Sequence, residues 1–401
     1  MRAALRSLPS TVWLLGAISL LNDAASELIY PLIPLYLATV LSGGPRALGF
    51  IEGAAEATAA LLKLVSGVWY DRVRRAKGFV LVGYGLAAIA RPAIALVTAW
   101  PALLVLRVLD RLGKGLRSSP RDALLAHAVP AAQRGFAFGV HRAFDNAGAV
   151  VGPLLAAALL AWQVPIREIL LWSAVPGALT VALALAIREP AAIDVQRVSR
   201  PDWSWSTLPP AFRRVLLALA LFTLGQASNA FILLRASEIG LPPTQVALLW
   251  AAVAATSTLL SVPLSALSDR VGRVPLLVAG WSMHALLFVA LALVGEPALL
   301  WPIAVLMGLY MAASEGAERA LIADLVASAS LGSAYGWYYL TKGLLLLPAS
   351  AVFGWIWYST NAATAFLTAA SLVAAATLLL ALWVLPAVRA RHVHQPGPSR
   401  R

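Results

Sequence analysis

The chain has 401 residues, is 60% hydrophobic and 12% charged, and has a mean hydropathy of +0.80, which excludes an ordinary soluble globular protein. Cysteine is absent, so disulfides, thiolate metal sites and cysteine nucleophiles are excluded. The net charge of +13 is concentrated in short segments between apolar runs, which is typical of membrane topology rather than of nucleic-acid binding.

Apolar runs of about 20 residues recur along the whole chain, and each can cross a hydrocarbon core about 30 Å thick. The sequence therefore predicts an all-α polytopic membrane protein with twelve transmembrane helices. The predicted spans are residues 12–40, 47–70, 78–98, 101–126, 134–162, 166–187, 212–236, 243–268, 273–294, 298–326, 333–358 and 362–386.

The loops between these spans divide the chain and orient it. Loops on the side of the termini carry most of the arginines, whereas the opposite loops and rims hold only Arg46, Arg167 and Arg235. Because cytoplasmic loops are enriched in Lys and Arg, both termini are predicted to be cytoplasmic. Residues 188–210, with four prolines, are the predicted cytoplasmic linker between six-helix bundles at 1–187 and 211–386. Residues 387–401 are predicted to be a disordered cytoplasmic tail.

The fourth predicted span carries a charged stripe. At about 100° per residue, its ionisable side chains fall within roughly one third of the helix circumference. Each charge facing lipid would cost at least about 2.5–3.5 kcal/mol, so this face must turn toward water or opposite charge inside a bundle. The stripe comprises Arg107, Asp110, Arg111, Lys114, Arg117 and Arg121.

The two halves of the chain repeat each other. The segment from Gly67 to Arg75, which contains Asp71 and Arg72, matches residues 265–273 at an offset of 198. The segments 122–126 and 135–139 match 319–323 and 332–336 at an offset of 197. Matches at nearly one spacing predict two pseudo-symmetric six-helix bundles, which usually rock about a substrate site near the membrane midplane.

The motifs resemble those of the major facilitator superfamily over essentially the whole length. The loop containing Gly67, Asp71, Arg72 and Arg75 resembles the family's G-x-x-x-D-R-x-G-R/K signature, with Arg74 in place of the usual glycine. The resemblance implies a role for this loop in conformational switching. The same role is expected of its repeat partners, Asp269, Arg270 and Arg273, and of Gly148, Gly152 and Pro153 in the fifth span.

Two further motifs carry the resemblance. The stretch from Leu103 to Gly113 resembles the family's fourth-span motif L-x-x-x-R-x-x-Q-G-x-G, with Asp110 and Arg111 in place of Gln and Gly. The arginine of that motif, here Arg107, is associated with proton coupling. The stretch with Gly148, Gly152 and Pro153 resembles the fifth-span motif of proton-antiporting exporters, although small residues at this spacing also permit close helix packing. The resemblance, which includes a little-characterised prokaryotic branch, implies a monomeric transporter in the prokaryotic inner membrane, working with protons and a small-molecule substrate and needing no cofactor.

Charged residues at similar depths predict the functional site. At 1.5 Å per residue, Asp23, Asp110, Lys114 and Asp145 lie roughly 13–20 Å from the starts of their spans, near the midplane. We expect Asp23, Asp110 and Asp145 to carry protons, with Arg107 and Lys114 as partners. The remaining predicted cavity residues are Asn22, Glu27, Arg111, His141, Arg142, Asn146, Gln226, Asn229, Glu315 and Lys342.

The sequence favours a proton-coupled exporter of a small organic molecule or drug. An alternative is export of a divalent metal ion through Asn22, Asp23, Glu27 and His141 as ligands. A membrane-embedded enzyme is disfavoured because no HExxH, GxSxG, P-loop or paired-histidine motif occurs. A non-transporting scaffold is disfavoured because it would have no use for so many midplane charges.

Overall fold

The computed structural model describes residues 8–73, 75–130, 133–188, 205, 208–326 and 331–388. These residues form helices joined by short turns, without a β-strand in the described ranges. The first six helices are α1 (Ser10–Thr39), α2 (Pro45–Val73), α3 (Ala76–Leu96), α4 (Trp100–His127), α5 (Arg134–Ala161) and α6 (Ile166–Leu185). The second six are α7 (Pro210–Glu238), α8 (Pro243–Val271), α9 (Arg273–Leu293), α10 (Pro297–Leu325), α11 (Leu331–Ser359) and α12 (Ala362–Val388).

The twelve predicted spans are confirmed, with ends that agree within a few residues. Ten of the helices are long and apolar enough to cross a membrane by length and composition. The other two are α2, with 29 residues, and α4, with 28 residues, and both carry many of the charges of the first half. At 1.5 Å per residue each is about 42 Å long, enough to cross, provided that its charged face is turned inward.

Two helices, α1 and α7, are interrupted at equivalent places, which hydropathy did not predict, and α6 has a further break at Ser173. In α1 the helix stops at Ile29 and resumes at Leu32, because Pro31 cannot donate a backbone hydrogen bond. In α7 the helix stops at Gly225 and resumes at Ala230, after an extended Gln226. Both breaks lie beside the predicted cavity residues of their helices.

Helix packing repeats between the halves. The helix pairs α1–α5, α2–α4, α3–α4 and α3–α6 of the first half correspond to α7–α11, α8–α10, α9–α10 and α9–α12 of the second. Between the halves, α2 packs on α11 and α5 packs on α8, which are again equivalent pairs. The pattern confirms two pseudo-symmetric six-helix bundles.

The halves are sealed together at the end opposite the termini. A Cβ added at Gly49 of α2 would lie 2.1 Å from the carbonyl oxygen of Ser350 on α11, so the two backbones touch there. One large apolar core joins both halves on this side, including Leu48 and Phe231. On the terminus side the first half has a separate small core around Val12 and Leu125. The packing therefore leaves a cleft that opens toward the termini.

Candidate functional site

Exposed charges in the middle of long helices mark this cleft. The side chains of Glu56, Arg142, Glu315 and Lys342 are 33%, 51%, 52% and 29% exposed. Because ionised groups are not stable against lipid, their exposed surface must face water between the bundles. Each half supplies two of the four residues, so the cleft lies between the halves.

Behind the cleft, Asp110 lies at the centre of a buried ionic network. Its carboxylate is 2.9 Å from Nε of Arg91 on α3, and 3.6 Å from guanidinium nitrogens of both Arg107 and Arg111 on its own helix. Asp110 is completely buried. Three cations around one carboxylate without solvent access form a rigid cross-link between α3 and α4.

Two glutamates of α2 complete the network. Glu52 accepts hydrogen bonds of 3.0 and 2.7 Å from Nε and Nη2 of Arg107 and is also buried. Glu56 lies 3.1 Å from Nε of Arg111 and is the member of the network that reaches the cleft. Arg107 was expected to pair with a proton-carrying aspartate, and it pairs with both Asp110 and Glu52. The sequence analysis had not placed Glu52 in the site.

Asp23 occupies a different environment. Its carboxylate accepts a 2.8 Å hydrogen bond from the amide of Asn22, and it has no basic side chain within 4 Å in the described part of the chain. The side-chain oxygen of Asn22 accepts in turn from Arg91 at 3.1 Å. Asn22 therefore links Asp23 to the edge of the buried network, while Asp23 itself stays partly exposed.

Asp145 on α5 lies across from Asp23. It accepts a hydrogen bond from Ser19 of α1 and lies 3.5 Å from Nδ1 of His141. Arg121 donates to the same Ser19 hydroxyl at 3.2 Å and pairs with Asp122 at 2.9 Å. Asp145 is thus hydrogen-bonded but not directly paired with an arginine.

The small residues of α5 bring these two carboxylates together. A Cβ added at Gly148 would lie 2.5 Å from the carbonyl oxygen of Leu20 and 2.9 Å from Cβ of Asp23. A Cβ at Gly152, next to Pro153, would lie 2.7 Å from the carbonyl oxygen of Ala24. The fifth-span motif therefore packs α5 directly against α1, which the alternative of close packing had anticipated.

One contact of Glu27 crosses between the halves. Nε1 of Trp250 on α8 donates a 2.8 Å hydrogen bond to the Glu27 carboxylate, and the rings of Trp250 and Tyr30 lie 5.1 Å apart. The sequence placed Glu27 in the cavity but did not identify Trp250. A tryptophan in an apolar run carries no signal by which its partner in the other half could be recognised.

The second half contributes a smaller polar set. Gln226 donates a 2.9 Å hydrogen bond to the hydroxyl of Tyr310. Lys342, the repeat partner of Asp145, lies 2.9 Å from Glu318, which also accepts from Tyr338 at 2.7 Å. The repeat therefore places an ionisable side chain at the same position in both halves, but with opposite charge.

The polar edges of the cleft are less tightly connected. Arg142 lies 3.7 Å from Glu315 of the other half, and both side chains are about half exposed. Asn146 and Asn229 are partly exposed, and Asn229 precedes the second segment of α7 without capping it through its side chain.

The described residues contain no group of three His, Asp or Glu side chains that could hold a metal ion.

The predicted switch loops are described unequally. Gly67 lies near Ser119, and Arg75 precedes α3, but the side chains of Asp71 and Arg72 and all of Arg74 lie outside the described residues. In the repeat, Arg273 pairs with Asp269 and lies 3.3 Å from Asp324, while Arg270 is exposed. Gly272 has a φ of +94°, a conformation that favours glycine.

Comparison with known proteins fits this architecture. The family model described as Major Facilitator Superfamily matches residues 15–234 and again residues 215–400. An uncharacterised MFS-type transporter of Methanocaldococcus jannaschii, MJ1317, is 31% identical over 362 residues, which cover 88% of this chain and 89% of the relative. The multidrug resistance protein MdtH of Photorhabdus laumondii is 27% identical over 339 residues, 83% of each chain.

The solved structures agree with the sequence relatives. The nucleoside transporter NupG, as a D323A mutant, has a TM-score of 0.76 at 17% identity, covering 94% of this chain and 99% of that one, which is a likeness of fold. Because the family model matches both halves and the archaeal relative covers most of the chain, the protein belongs to the major facilitator superfamily of membrane transporters.

Proposed function

We propose that the protein is a proton-coupled exporter that exchanges protons for a small organic molecule, with Asp23 and Asp145 as the proton-binding carboxylates. The observation that carries this proposal is their position. They lie on α1 and α5, across a helix contact so close that a Cβ added at Gly148 would lie 2.9 Å from the Cβ of Asp23. Among the described residues neither carboxylate lies within 4 Å of an arginine, and both are partly exposed.

Such a pair can bind and release a proton. Two neighbouring carboxylates repel each other when both are ionised, and a proton on either one relieves that repulsion. Rocking of the two halves would change the water access of the pair, so a proton taken up from one side is released to the other. Asp110 is less suited to this role, because three guanidinium groups hold its charge and water does not reach it.

The direction of transport is supported by two likenesses. The Gly148–Pro153 stretch resembles the fifth-span motif of proton-antiporting exporters, and one relative is named a multidrug resistance protein. The arginine-rich loops on the terminus side support cytoplasmic termini. The prokaryotic relatives support an inner-membrane location. In this orientation the cleft opens to the cytoplasm, where an exporter collects its substrate.

The test begins with purified protein and a thermal-shift screen against drugs, amines, metabolites and divalent metal salts, because a compound that binds the folded state raises its melting temperature. The first compound that does so is then added to energised everted vesicles loaded with a fluorescent pH probe. An antiporter dissipates the pH gradient when the compound is added. Accumulation of the compound without proton movement contradicts the proposal, and a response to divalent metals alone favours the metal-ion alternative.

A further inference from the structure

Arg117 stands apart from the other buried arginines. Arg91, Arg107 and Arg111 each lie within 3.1 Å of a carboxylate oxygen. Arg117 is only 4% exposed, but it forms no ion pair within 4 Å in the described ranges, and its Nη1 has no hydrogen-bond partner there. A buried guanidinium without a counter-charge costs several kcal/mol, so this state of Arg117 needs compensation.

In this conformation the compensation comes from an aromatic ring. The guanidinium carbon lies 4.6 Å from the ring centroid of Tyr84 on α3, whose hydroxyl also lacks a partner in the described part of the chain. A desolvated cation–π contact is worth about 2 kcal/mol, which offsets only part of the cost of burying a charge. Arg117 is therefore available to a carboxylate that comes within reach.

Two acids lie near Arg117. Asp110 lies two turns before it on α4, and Asp23 lies one turn after Ser19, which accepts a 3.2 Å hydrogen bond from Arg121, one turn after Arg117. Asp110 already has three arginines around it. Asp23 has no basic group within 4 Å among the described residues, and the cations Lys114, Arg117 and Arg121 lie on α4, which contacts α1 through Arg121 and Ser19. The ion pairs of the described residues thus leave the Asp23 carboxylate on α1 and the buried Arg117 guanidinium on α4 without a partner of opposite charge.

Among the three cations, Arg117 has the strongest need of a partner. Lys114 is partly exposed in the cleft, where water can solvate its ammonium group. Arg121 is already paired with Asp122. The other ionisable groups around Asp23 are Glu27 on its own helix and Asp145 and His141 on α5. The two acids cannot serve as its counter-charge, and His141 is directed to Asp145, with its Nδ1 3.5 Å from that carboxylate.

We propose that Arg117 is the alternating counter-charge of Asp23. When Asp23 is ionised, the guanidinium leaves the Tyr84 ring and pairs with the carboxylate. When Asp23 takes up a proton, Arg117 returns to Tyr84, as in the conformation seen here. The movement would couple proton binding on α1 to a change of contact between α3 and α4. This inference rests on the proposed role of Asp23 in proton binding.

The first test uses dicyclohexylcarbodiimide, a reagent that modifies protonated carboxyl groups in apolar surroundings. The full-length protein in detergent is treated, and labelling of Asp23 is followed by peptide mass spectrometry. Arg117→Gln should increase the Asp23 labelling rate by about fivefold or more, because the ionised carboxylate loses its partner. Arg117→Lys, which keeps the charge, should stay close to the unmodified protein. Labelling of Glu27 in the same samples serves as the internal reference.

Two results would overturn the proposal. One is an Arg117→Gln protein whose Asp23 labelling is unchanged. The other is an equal increase caused by Lys114→Gln, which would assign the counter-charge to Lys114. Because labelling needs neither substrate nor a gradient, the result is independent of whether the protein proves to be an antiporter.

A second measurement covers the case in which Arg117→Gln folds poorly. The double variant Asp23→Asn with Arg117→Gln removes both charges, so it should melt at a higher temperature than either single variant. Melting temperatures that are additive, with the double variant the least stable, would contradict pairing. A role of Arg117 limited to packing on Tyr84 predicts that additive result, because Asp23 would then have no influence on it.

Discussion

Replacing Asp110 by asparagine should destabilise the protein far more than the same change elsewhere on α4. Asp110 is fully buried and is surrounded by Arg91, Arg107 and Arg111 at 2.9–3.6 Å. The substitution leaves three guanidinium groups with only Glu52 and Glu56 to balance them, that is, one uncompensated buried cation. Breaking such a pair from one side costs about 3–5 kcal/mol, a change of roughly 10² to 4 × 10³-fold in the folding equilibrium.

The matched control is Asp122→Asn, the same substitution on the same helix. Asp122 pairs with Arg121, but its side chain is 48% exposed, so its removal should cost less than about 1 kcal/mol. Both variants would be unfolded with denaturant in mixed micelles, and the free energies of unfolding compared. Adding Arg91→Gln to Asp110→Asn should recover part of the loss. Equal stability of the two aspartate variants would refute the structural role assigned to Asp110.

Three further outcomes are expected. Gly148→Ala should lower the free energy of unfolding, measured by chemical denaturation, by about 1–3 kcal/mol through overpacking against α1. Gly139→Ala is the control and should not lower it, because a Cβ there meets nothing within 4 Å. Trp250→Phe keeps a ring beside Tyr30 but loses the hydrogen bond to Glu27, so its melting temperature should fall, with Tyr30→Phe as the control. Reporter fusions after positions 210 and 401 should both report a cytoplasmic location, and a periplasmic signal from either would contradict the topology.

The sequence was a sufficient guide to the helices. Apolar runs of membrane-spanning length determine where a helix must lie, since the backbone has no other way to satisfy its hydrogen bonds in lipid. The interruptions in α1 and α7 were missed because they occur within continuous apolar runs. Pro31 was visible, but a proline in a span is compatible with a kink as well as with a break.

The pairings of the charged residues could not be predicted from the sequence. The charged stripe of α4 indicated opposite charges inside the bundle, and Asp23 and Asp145 do lie on facing helices. Which acid pairs with which base depends on the rotation and separation of helices, which helical periodicity does not give. Arg107 was expected beside an aspartate and also binds Glu52, while Lys114 was expected to pair and has no carboxylate within 4 Å in the described ranges.

The most direct test of the central proposal compares gradient-driven flux with substrate exchange in proteoliposomes containing Asp23→Asn or Asp145→Asn, using the compound found by thermal shift. A proton carrier that cannot ionise should leave a folded protein that still binds and exchanges the compound, but no longer moves it uphill in response to a pH gradient. The account predicts this separation for at least one of the two variants. Full gradient-driven flux in both variants would contradict it.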